Sequence, residues 1–388
     1  MMGNYIDRLT EFLKAKGVLF FVLFVCSFML MAKPFFGPVN RTLIKLFLFT
    51  YILQAVLVIG SSYVLYIVRV CIAAFMCFEH TCRLLLPPAP VTYNGNFTVE
   101  VPLLGYRFRP GSVLEYSTKV LGTDTIYHVY YSADEYGRRI VSTRYLPAGD
   151  TIVRNKPRYH ALFLGCSYTF GAGLNDTSTF PYIFSTGNPH YSAYNYGFSG
   201  YGPHQMPLLF KDGVDVINNT SVIEDTGICV YTYIQDHLNR VYGGSNYLLY
   251  GNKTPDVYIE NGKAVYKSRN EFQNAFSIVL SNSFAGKYLN IQLTYPRKDD
   301  FYKRFASVIN YTAQEYYKVK PHGRFYVSVF PGEKDTTWLR YIDKSIGVLN
   351  VPSPPSIENN ATYLIKGDSH PTYYLNRYYA QQLSRMIH

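Results

Sequence analysis

The first 90 residues of the chain are far more hydrophobic than the rest. Residues 17–32 read GVLFFVLFVCSFMLMA, about one bilayer span, and a second apolar stretch runs from 43 to 78. A continuous helix over the second stretch would be about 54 Å long, beyond a hydrocarbon core of about 30 Å. The sequence KPFFGP follows the first run and offers no small-residue cleavage site, which disfavours a secretory signal. The pattern predicts a membrane anchor over residues 1–90 with two or three spans.

The flanking charges of the first span do not fix its orientation. Three Lys or Arg residues precede it and three follow it in the next loop, so the positive-inside rule gives no preference. Asn-x-Ser/Thr sequons weakly favour a domain outside the cytoplasm. They begin at Asn96, Asn175, Asn219, Asn252, Asn310 and Asn360.

After a linker at 86–90 (LPPAP), the pattern changes twice. Residues 91–157 form a β-rich region, because alternating, aromatic and β-branched residues fill it. Beyond it, apolar runs typical of strands alternate with helical patterns, which indicates an α/β fold around a parallel sheet over 158–388. The predicted strands are 160–165, the start of 190–202, 226–234 and 323–330; the helices are 299–317 and 373–387; and 255–268 is a hairpin with its turn at Asn261-Gly262.

Composition excludes several classes of function. The formal net charge is +11, but no run of Lys or Arg marks a nucleic-acid arm, so no nucleic-acid partner is predicted. Six cysteines are present, and only Cys166 and Cys229 lie beyond residue 90, too few for a disulfide framework. The chain contains no CxxC, no HExxH and no pair of histidines four residues apart. We therefore expect neither a metal nor another cofactor.

The segment FLGCSYTFGAGL, residues 163–174, carries the strongest chemical signal. It places Ser167 at a strand-to-helix turn, where a hydroxyl is exposed beside backbone N–H groups that face an incoming oxyanion. A phosphate-binding loop or a purely structural turn is the alternative. The Walker lysine is missing and the glycines do not follow GxGxxG, which disfavours nucleotide binding.

Two further segments follow the Ser167 segment in the order expected of an acyl-transfer site, with the oxyanion loop first and the acid and base last. NYGFSGYGPHQ, residues 195–205, follows a second strand and contains Gly200, whose N–H would face the same oxyanion. GDSHPTYYLNRYYAQQL, residues 367–383, places Asp368 and His370 in a loop before the last helix, as a base and its orienting acid would be. Each segment alone is more often structural, whereas the three together indicate catalysis.

These three segments resemble blocks I, II and V of the SGNH/GDSL hydrolase superfamily, in particular its bacterial membrane-attached members. The resemblance covers roughly residues 158–388 and implies a three-layer α/β/α fold of flavodoxin-like type. By position, Ser167 resembles the nucleophile, Gly200 the block II oxyanion glycine, His370 the general base and Asp368 its acid.

Three positions depart from the family pattern. Cys166 stands where block I most often has aspartate, and one residue rather than two separates Asp368 from His370. In block III the family expects Gly-x-Asn-Asp after the strand, but this chain has Gln235 and Asp236 there. A Gln235 amide would donate to the oxyanion, whereas an ionised Asp236 would repel it. The loss of one oxyanion donor costs about 3–4 kcal/mol, so weakened activity is expected.

The residues after block III and the abundant tyrosines allow two interpretations each. Asp236, His237 and Arg240 form either a structural ion-pair cluster or a substrate contact. The chain has 39 tyrosines, several of them around block II, and these either pack the core or stack on sugar rings.

The resemblance predicts a membrane-anchored serine esterase or deacylase that acts on an acylated carbohydrate or lipid. Its domain would be extracytoplasmic, on the periplasmic side of the inner membrane. One alternative is an O-acyltransferase that modifies envelope polysaccharide, supplied by a partner membrane acyltransferase. The other is a non-catalytic SGNH-like domain that binds polysaccharide or scaffolds an assembly.

Overall fold

The computed structural model describes residues 91–94, 97–121, 123–141, 157–211, 217–241, 256–267, 298–355, 357 and 361–387. They all fall within one compact unit. The predicted spans at 17–32 and 43–78, the linker at 86–90 and the sequons at Asn96, Asn252 and Asn360 lie outside these residues. Within the described ranges, no helix has the length and apolar character needed to cross a membrane.

The strands and helices are numbered in chain order. The strands are β1 (Val91–Asn94), β2 (Thr98–Val101), β3 (Gly105–Phe108), β4 (Glu115–Leu121), β5 (Asp124–Tyr131), β6 (Tyr159–Leu164), β7 (Tyr191–Asn195), β8 (Thr226–Tyr233), β9 (Asp256–Glu260), β10 (Lys263–Lys267), β11 (Arg324–Val329) and β12 (Gly347–Asn350). The α-helices are α1 (Ser167–Phe170), α2 (Phe180–Gly187), α3 (Asp236–Val241), α4 (Asp299–Val319) and α5 (Tyr373–Ile387).

A five-stranded parallel sheet with the order β7-β6-β8-β11-β12 forms the centre of the fold. Numbered within this sheet, the order is 2-1-3-4-5, the flavodoxin-like arrangement. The chain passes from β6 to β7 on one side and then returns to β8 on the other side of β6, so the strand order reverses between β6 and β8. Ligands of such folds bind at this point, at the carboxyl ends of the strands. The prediction of an α/β fold with a parallel sheet is confirmed.

Both faces of the sheet are covered, as the apolar strands require. All of β8 except its first residue is buried, the pattern of a parallel strand enclosed by helices. On one face Phe163 and Val230 lie in a cluster with α2 and α5; on the other Leu162 and Tyr231 lie in a cluster with α4. The sheet is therefore the middle layer of three.

The local predictions agree with these elements. The Asn261-Gly262 turn has both residues at positive φ, 51° and 73°, as a two-residue hairpin of type I′ requires. The helix predicted at 299–317 is α4, and the one predicted at 373–387 is α5. Strand β12 was not predicted, because its four residues are too few to show a period.

His160 on β6 is a titratable residue that is fully buried. One ring nitrogen lies 2.8 Å from the carbonyl oxygen of Glu224 and the other 2.7 Å from the hydroxyl of Tyr316. Burial lowers the pKa of His160 from 6.5 to about 4, against the opposing hydrogen bond to Glu224. The folded protein therefore holds this imidazole neutral, whereas the unfolded chain protonates it near pH 6.5.

We expect the free energy of unfolding to fall as the pH drops from about 6.5 to 4, by about 3 kcal/mol from this group, and not further below that range. The loss occurs because only the unfolded state binds the proton in that window. Urea unfolding of the full chain in detergent at several pH values measures it. His160→Phe should flatten the slope, whereas replacing the exposed His322 by Phe should not. An unchanged slope in His160→Phe would contradict the assignment.

The predicted β-rich region forms β1 to β5, with β1, β4 and β5 in one antiparallel sheet and β2 and β3 in a hairpin. Two adjacent arginines tie it to the parallel sheet. Arg138 pairs with Asp134 at 2.6 Å and donates to the carbonyl of Ser221, also at 2.6 Å. Arg139 donates to the segment that follows Ser167. The β-rich region is thus packed directly against the chain around the candidate site.

Candidate active site

Ser167 lies where β6 turns into α1. Gly165 ends the strand, and a Cβ there would lie 2.1 Å from the Thr169 hydroxyl, so the turn requires glycine. The helix ends after one turn at Gly171, whose N–H donates to the Ser167 carbonyl and whose φ of 82° is left-handed. Ser167 itself is only 7% exposed. The turn therefore holds its side chain in a fixed position at the carboxyl edge of the sheet.

The fold brings the imidazole of His370 to this hydroxyl across 203 positions of sequence. Nε2 of His370 lies 2.9 Å from Oγ of Ser167, and Nδ1 is hydrogen-bonded to Oδ1 of Asp368. The three side chains form one continuous chain of hydrogen bonds. This arrangement orients the imidazole with Nε2 toward the hydroxyl, as a general base requires.

The short Asp-x-His spacing is accommodated by a tight turn. Ser369 has a φ of 68°, and the N–H groups of Asp368 and Ser369 both donate to the carbonyl of Ile365. The N–H of His370 donates to the same carboxylate that binds its ring, at 3.3 Å. Left-handed backbone at Ser369 therefore places both side chains on one side of the loop with only one residue between them.

Ser369→Gly should preserve the triad geometry and raise the free energy of unfolding by up to about 1 kcal/mol, because glycine adopts positive φ without strain. Ser369→Val should lower both the free energy of unfolding and any turnover of p-nitrophenyl acetate, since a β-branched residue is strongly disfavoured there. Urea unfolding and turnover of p-nitrophenyl acetate measure the two effects. Equal activity in the glycine and valine variants would show that this backbone conformation is not needed.

The carboxylate of Asp368 has a second partner that the sequence did not indicate. Oδ2 lies 2.5 Å from Nζ of Lys119 on β4, which is 249 positions earlier in the chain. The Asp368 side chain is 4% exposed. Burial would raise its pKa, but the hydrogen bonds and charges of His370 and Lys119 outweigh burial and lower it to about 2. The carboxylate is therefore ionised at neutral pH.

The block II loop packs against the turn that carries Ser167. The Asn195 side chain donates to the Thr169 carbonyl at 2.9 Å and accepts from the Gly197 N–H at 3.0 Å. A Cβ on Gly197 would lie 2.5 Å from Cβ of Thr169, so only glycine allows this approach. No role for Asn195 or Gly197 was predicted from the sequence, although both lie in the segment NYGFSG, residues 195–200.

Gly200 lies in the turn from Phe198 to Tyr201. The Tyr201 N–H donates to the Phe198 carbonyl at 3.1 Å, and Gly200 has the positive φ, 81°, that this third turn position requires. The Phe198 N–H in turn donates to the carbonyl of Gly165, at 3.4 Å. Gly200 is thus buried in a loop bonded to the turn that carries Ser167, and its oxyanion role stays a prediction.

In block III the carboxylate of Asp236 is not a free charge, because it is paired with Arg240. Oδ2 of Asp236 accepts from Nε and Nη2 of Arg240 at 2.8 and 2.6 Å, while Nη1 donates to the Tyr201 carbonyl at 2.6 Å. The charge of Asp236 is therefore paired one helical turn away, and Arg240 fixes the block II loop. Of the two interpretations of this cluster, the ion pair is present, and a substrate contact by Arg240 is untested.

Gln235 and His237 lie on either side of Asp236. The side-chain oxygen of Gln235 accepts from the N–H of Asp335 at 3.2 Å, which leaves its NH2 group as a donor, and its own N–H donates to Glu333 at 2.7 Å. Burial raises the pKa of Glu333 to about 7. His237 is fully buried, with Nδ1 at 2.8 Å from the Tyr231 hydroxyl, so its ring presents no surface to a substrate.

The tyrosines around block II are packed into the protein. Tyr201 is buried and donates to the Tyr106 carbonyl at 2.6 Å, Tyr196 is buried beside Arg138, and Tyr194 donates to Glu224 at 2.8 Å. These contacts match the packing interpretation. Among the residues described, no group of three His, Cys, Asp or Glu side chains is placed to hold a metal ion.

No family model and no curated protein matches the chain. Several solved structures do match part of it. An acetyl xylan esterase from the rumen bacterium Butyrivibrio proteoclasticus is 10% identical, with a TM-score of 0.37 over 60% of this chain and 64% of its own. A family two carbohydrate esterase from Clostridium thermocellum, in complex with cellohexaose, is 13% identical, with a TM-score of 0.35 over 60% and 65%. A structure described as a lipolytic protein of the G-D-S-L family from Desulfitobacterium hafniense is 11% identical, with a TM-score of 0.32 over 58% and 98%.

The resemblance to the SGNH/GDSL family rests on the sequence blocks, and one matched structure is described as a G-D-S-L family protein. The chain spans less than two thirds of the length of the two carbohydrate esterases. Similarity at TM-scores below 0.5 carries no information about the reaction of this chain, which has to be inferred from its own side chains.

Proposed function

We propose that the chain is a serine esterase or deacylase in which Ser167 is the nucleophile, His370 the general base and Asp368 the acid that orients it. The observation that carries the proposal is the continuous hydrogen-bonded chain from the Ser167 hydroxyl through both nitrogens of His370 to the Asp368 carboxylate. A buried ionised carboxylate behind an imidazole stabilises the imidazolium that forms when the hydroxyl is deprotonated.

The reaction begins when Nε2 of His370 takes the Ser167 proton as Oγ bonds to the ester carbonyl carbon. The tetrahedral intermediate collapses as the imidazolium gives that proton to the departing alcohol oxygen, which leaves an acyl-enzyme. Water then attacks this ester as His370 accepts a proton from it, and the imidazolium returns that proton to Oγ of Ser167 as the acid product leaves. Ser167 is regenerated.

The negative charge of the intermediate would be held by the N–H groups of Ser167 and Gly200 and by the NH2 group of Gln235. The bond from Asp335 to the side-chain oxygen of Gln235 supports this use of the NH2 group. The pairing of Asp236 with Arg240 reduces the repulsion that a free carboxylate would cause. If Gln235 does not donate, the rate falls by about 10²- to 10³-fold relative to a complete oxyanion hole.

The proposed substrates are acylated carbohydrates or lipids at a membrane surface. The support is the apolar sequence of residues 1–90, which we propose anchors the catalytic domain on the extracytoplasmic side. Transfer of the acyl group to a polysaccharide hydroxyl is the second candidate, with a membrane acyltransferase as its partner. A membrane anchor at residues 1–90 would suit this reaction as well. Acyl release measured against acyl incorporation into an added glycan separates the two reactions.

Labelling with a fluorophosphonate probe tests the proposal against a non-catalytic binding domain. The full chain in detergent should react with the probe, and mass mapping should place the adduct on Ser167. His370→Ala should lose most of the labelling, because the hydroxyl then has no base. If a folded chain takes up no probe, the enzymatic proposal is wrong and the binding or scaffold alternative is favoured.

A further inference from the structure

The β4–β5 hairpin has two faces, and the inner one meets the proposed catalytic residues. On β4, Ser117 is buried and the side chain of Lys119 is only 16% exposed. Tyr116, the neighbour of Ser117 in the strand, is 49% exposed. On β5, Val129 and Tyr131 are buried while Tyr130 is 43% exposed. Alternation along both strands therefore places Lys119 on the face that is turned toward the body of the protein.

This inner face contacts the segments around both Ser167 and His370. The N–H of Gly173, six residues after the nucleophile, donates to the Tyr131 hydroxyl at 2.9 Å, and Tyr127 packs beside the same glycine. Ile126 lies where the β4–β5 register shifts and interrupts the alternation, and it packs beside Gly367, which directly precedes Asp368. The hairpin thus holds the two loops whose side chains must meet.

Lys119, on the same inner face, binds the carboxylate oxygen of Asp368 that His370 does not bind. His370 binds Oδ1 on one side, and the ammonium group of Lys119 binds Oδ2 at 2.5 Å on the other. The groups whose charges act on Asp368 are His370 on its own loop and Lys119 on the hairpin. With both oxygens held, the carboxylate has no freedom to rotate away from the imidazole.

We propose that Lys119 is a positioning residue of the active site, which fixes the Asp368 carboxylate toward His370 and makes the β-rich region part of the catalytic machinery. The proposal rests on the proposed function. Lys119 acts through Asp368 and touches neither the substrate nor Ser167. Its positive charge also lowers the pKa of the Asp368 carboxylate, so Lys119 affects the pH dependence as well as the rate.

The test compares Lys119→Met, Lys119→Gln and Lys119→Arg in the full chain in detergent, with p-nitrophenyl acetate as substrate. Lys119→Met should lower kcat about ten- to hundredfold with KM nearly unchanged, as expected for a lost hydrogen bond to a charged group. The acidic limb of the pH profile should move to higher pH in the Met and Gln variants, because both lack the charge. Lys119→Arg should restore most of the rate and the original limb.

Lys318→Met is the matched control, because Lys318 also pairs with a carboxylate, Glu315, but on the exposed side of α4. It should leave kcat and the pH profile unchanged. A wild-type kcat and pH profile in Lys119→Met would overturn the inference while leaving the proposed function intact. If Lys119→Met does not fold, the Gln variant decides, since an unshifted acidic limb there overturns the inference equally. Absence of turnover in the wild-type chain would instead overturn the proposed function, and this inference with it.

Discussion

Replacing Ser167 by alanine is expected to lower kcat for p-nitrophenyl acetate by about 10⁴- to 10⁶-fold, the loss seen when a serine hydrolase loses its nucleophile. The reason is that, in the proposed mechanism, Oγ of Ser167 is the atom deprotonated by His370, whose Nε2 lies 2.9 Å away. Alanine removes that atom and little else. Ser167 is only 7% exposed, and among the described residues its hydroxyl is hydrogen-bonded to His370 alone. Folding should therefore be unaffected, which circular dichroism and urea unfolding would verify.

His370→Ala should reduce kcat by a comparable factor, and the double variant by no more than either single one. Residues that act as one unit show this non-additivity, since a nucleophile without its base and a base without its nucleophile are equally inactive. Ser185→Ala on α2 is the control for a serine elsewhere in the fold. Substantial turnover in Ser167→Ala with a retained fold would remove this serine from the mechanism, and full additivity would show that the two residues act independently.

The sequence predicted those parts of the site whose signals lie within one short segment. Ser167 follows an apolar strand and precedes a glycine-rich turn, and Asp368 and His370 are two positions apart in a loop before a helix, so motif and element appear together. Their mutual distance was not derivable from pattern alone. It follows from packing that the pattern does not show. Helix α5 packs against α2, with the ring centroids of Phe180 and Tyr379 4.7 Å apart, and the Tyr168 hydroxyl donates to the Ser369 carbonyl at 3.2 Å.

The parts that the sequence did not predict depend on pairing across large separations. Alternation along β4 shows that Lys119 shares a face with Ser117, but nothing in the sequence shows that this face meets a loop 249 positions later. Asn195 and Gly197 were visible in a quoted motif, yet their use in holding Thr169 depends on how two loops pack.

Block III shows a different reason for an incomplete prediction. The sequence left open whether Asp236 is a free charge near the oxyanion or part of an ion pair, although an Asp and an Arg four residues apart on a helix commonly pair. The helix that brings Asp236 and Arg240 together is only six residues long, too short for its period to be recognised beforehand. Once α3 is known, the ion pair follows from the spacing.

Arg139→Leu is expected to lower the free energy of unfolding by about 3–5 kcal/mol, because it leaves a buried charge and several backbone carbonyls without a partner. Arg139 is 1% exposed, and its Nε pairs with Asp176 at 2.8 Å. Nη1 donates to the carbonyls of Phe170 and Gly171 at 2.6 and 2.7 Å, and Nη2 donates to the carbonyl of Leu174. The guanidinium also lies over the rings of Tyr131 and Phe170.

Arg139→Lys should recover only part of this stability, since one ammonium group cannot reproduce the planar fork that serves four acceptors. Urea unfolding of the full chain in detergent measures both variants. Arg340→Leu is the matched control, because Arg340 pairs with Asp299 where both side chains are more than half exposed, and such pairs contribute about 0–1 kcal/mol. An Arg139→Leu variant as stable as Arg340→Leu would show that the segment after Ser167 keeps its conformation without the β-rich region. The loss predicted here would instead explain why the nucleophile turn, whose carbonyls this arginine binds, depends on that region to hold Ser167 in place.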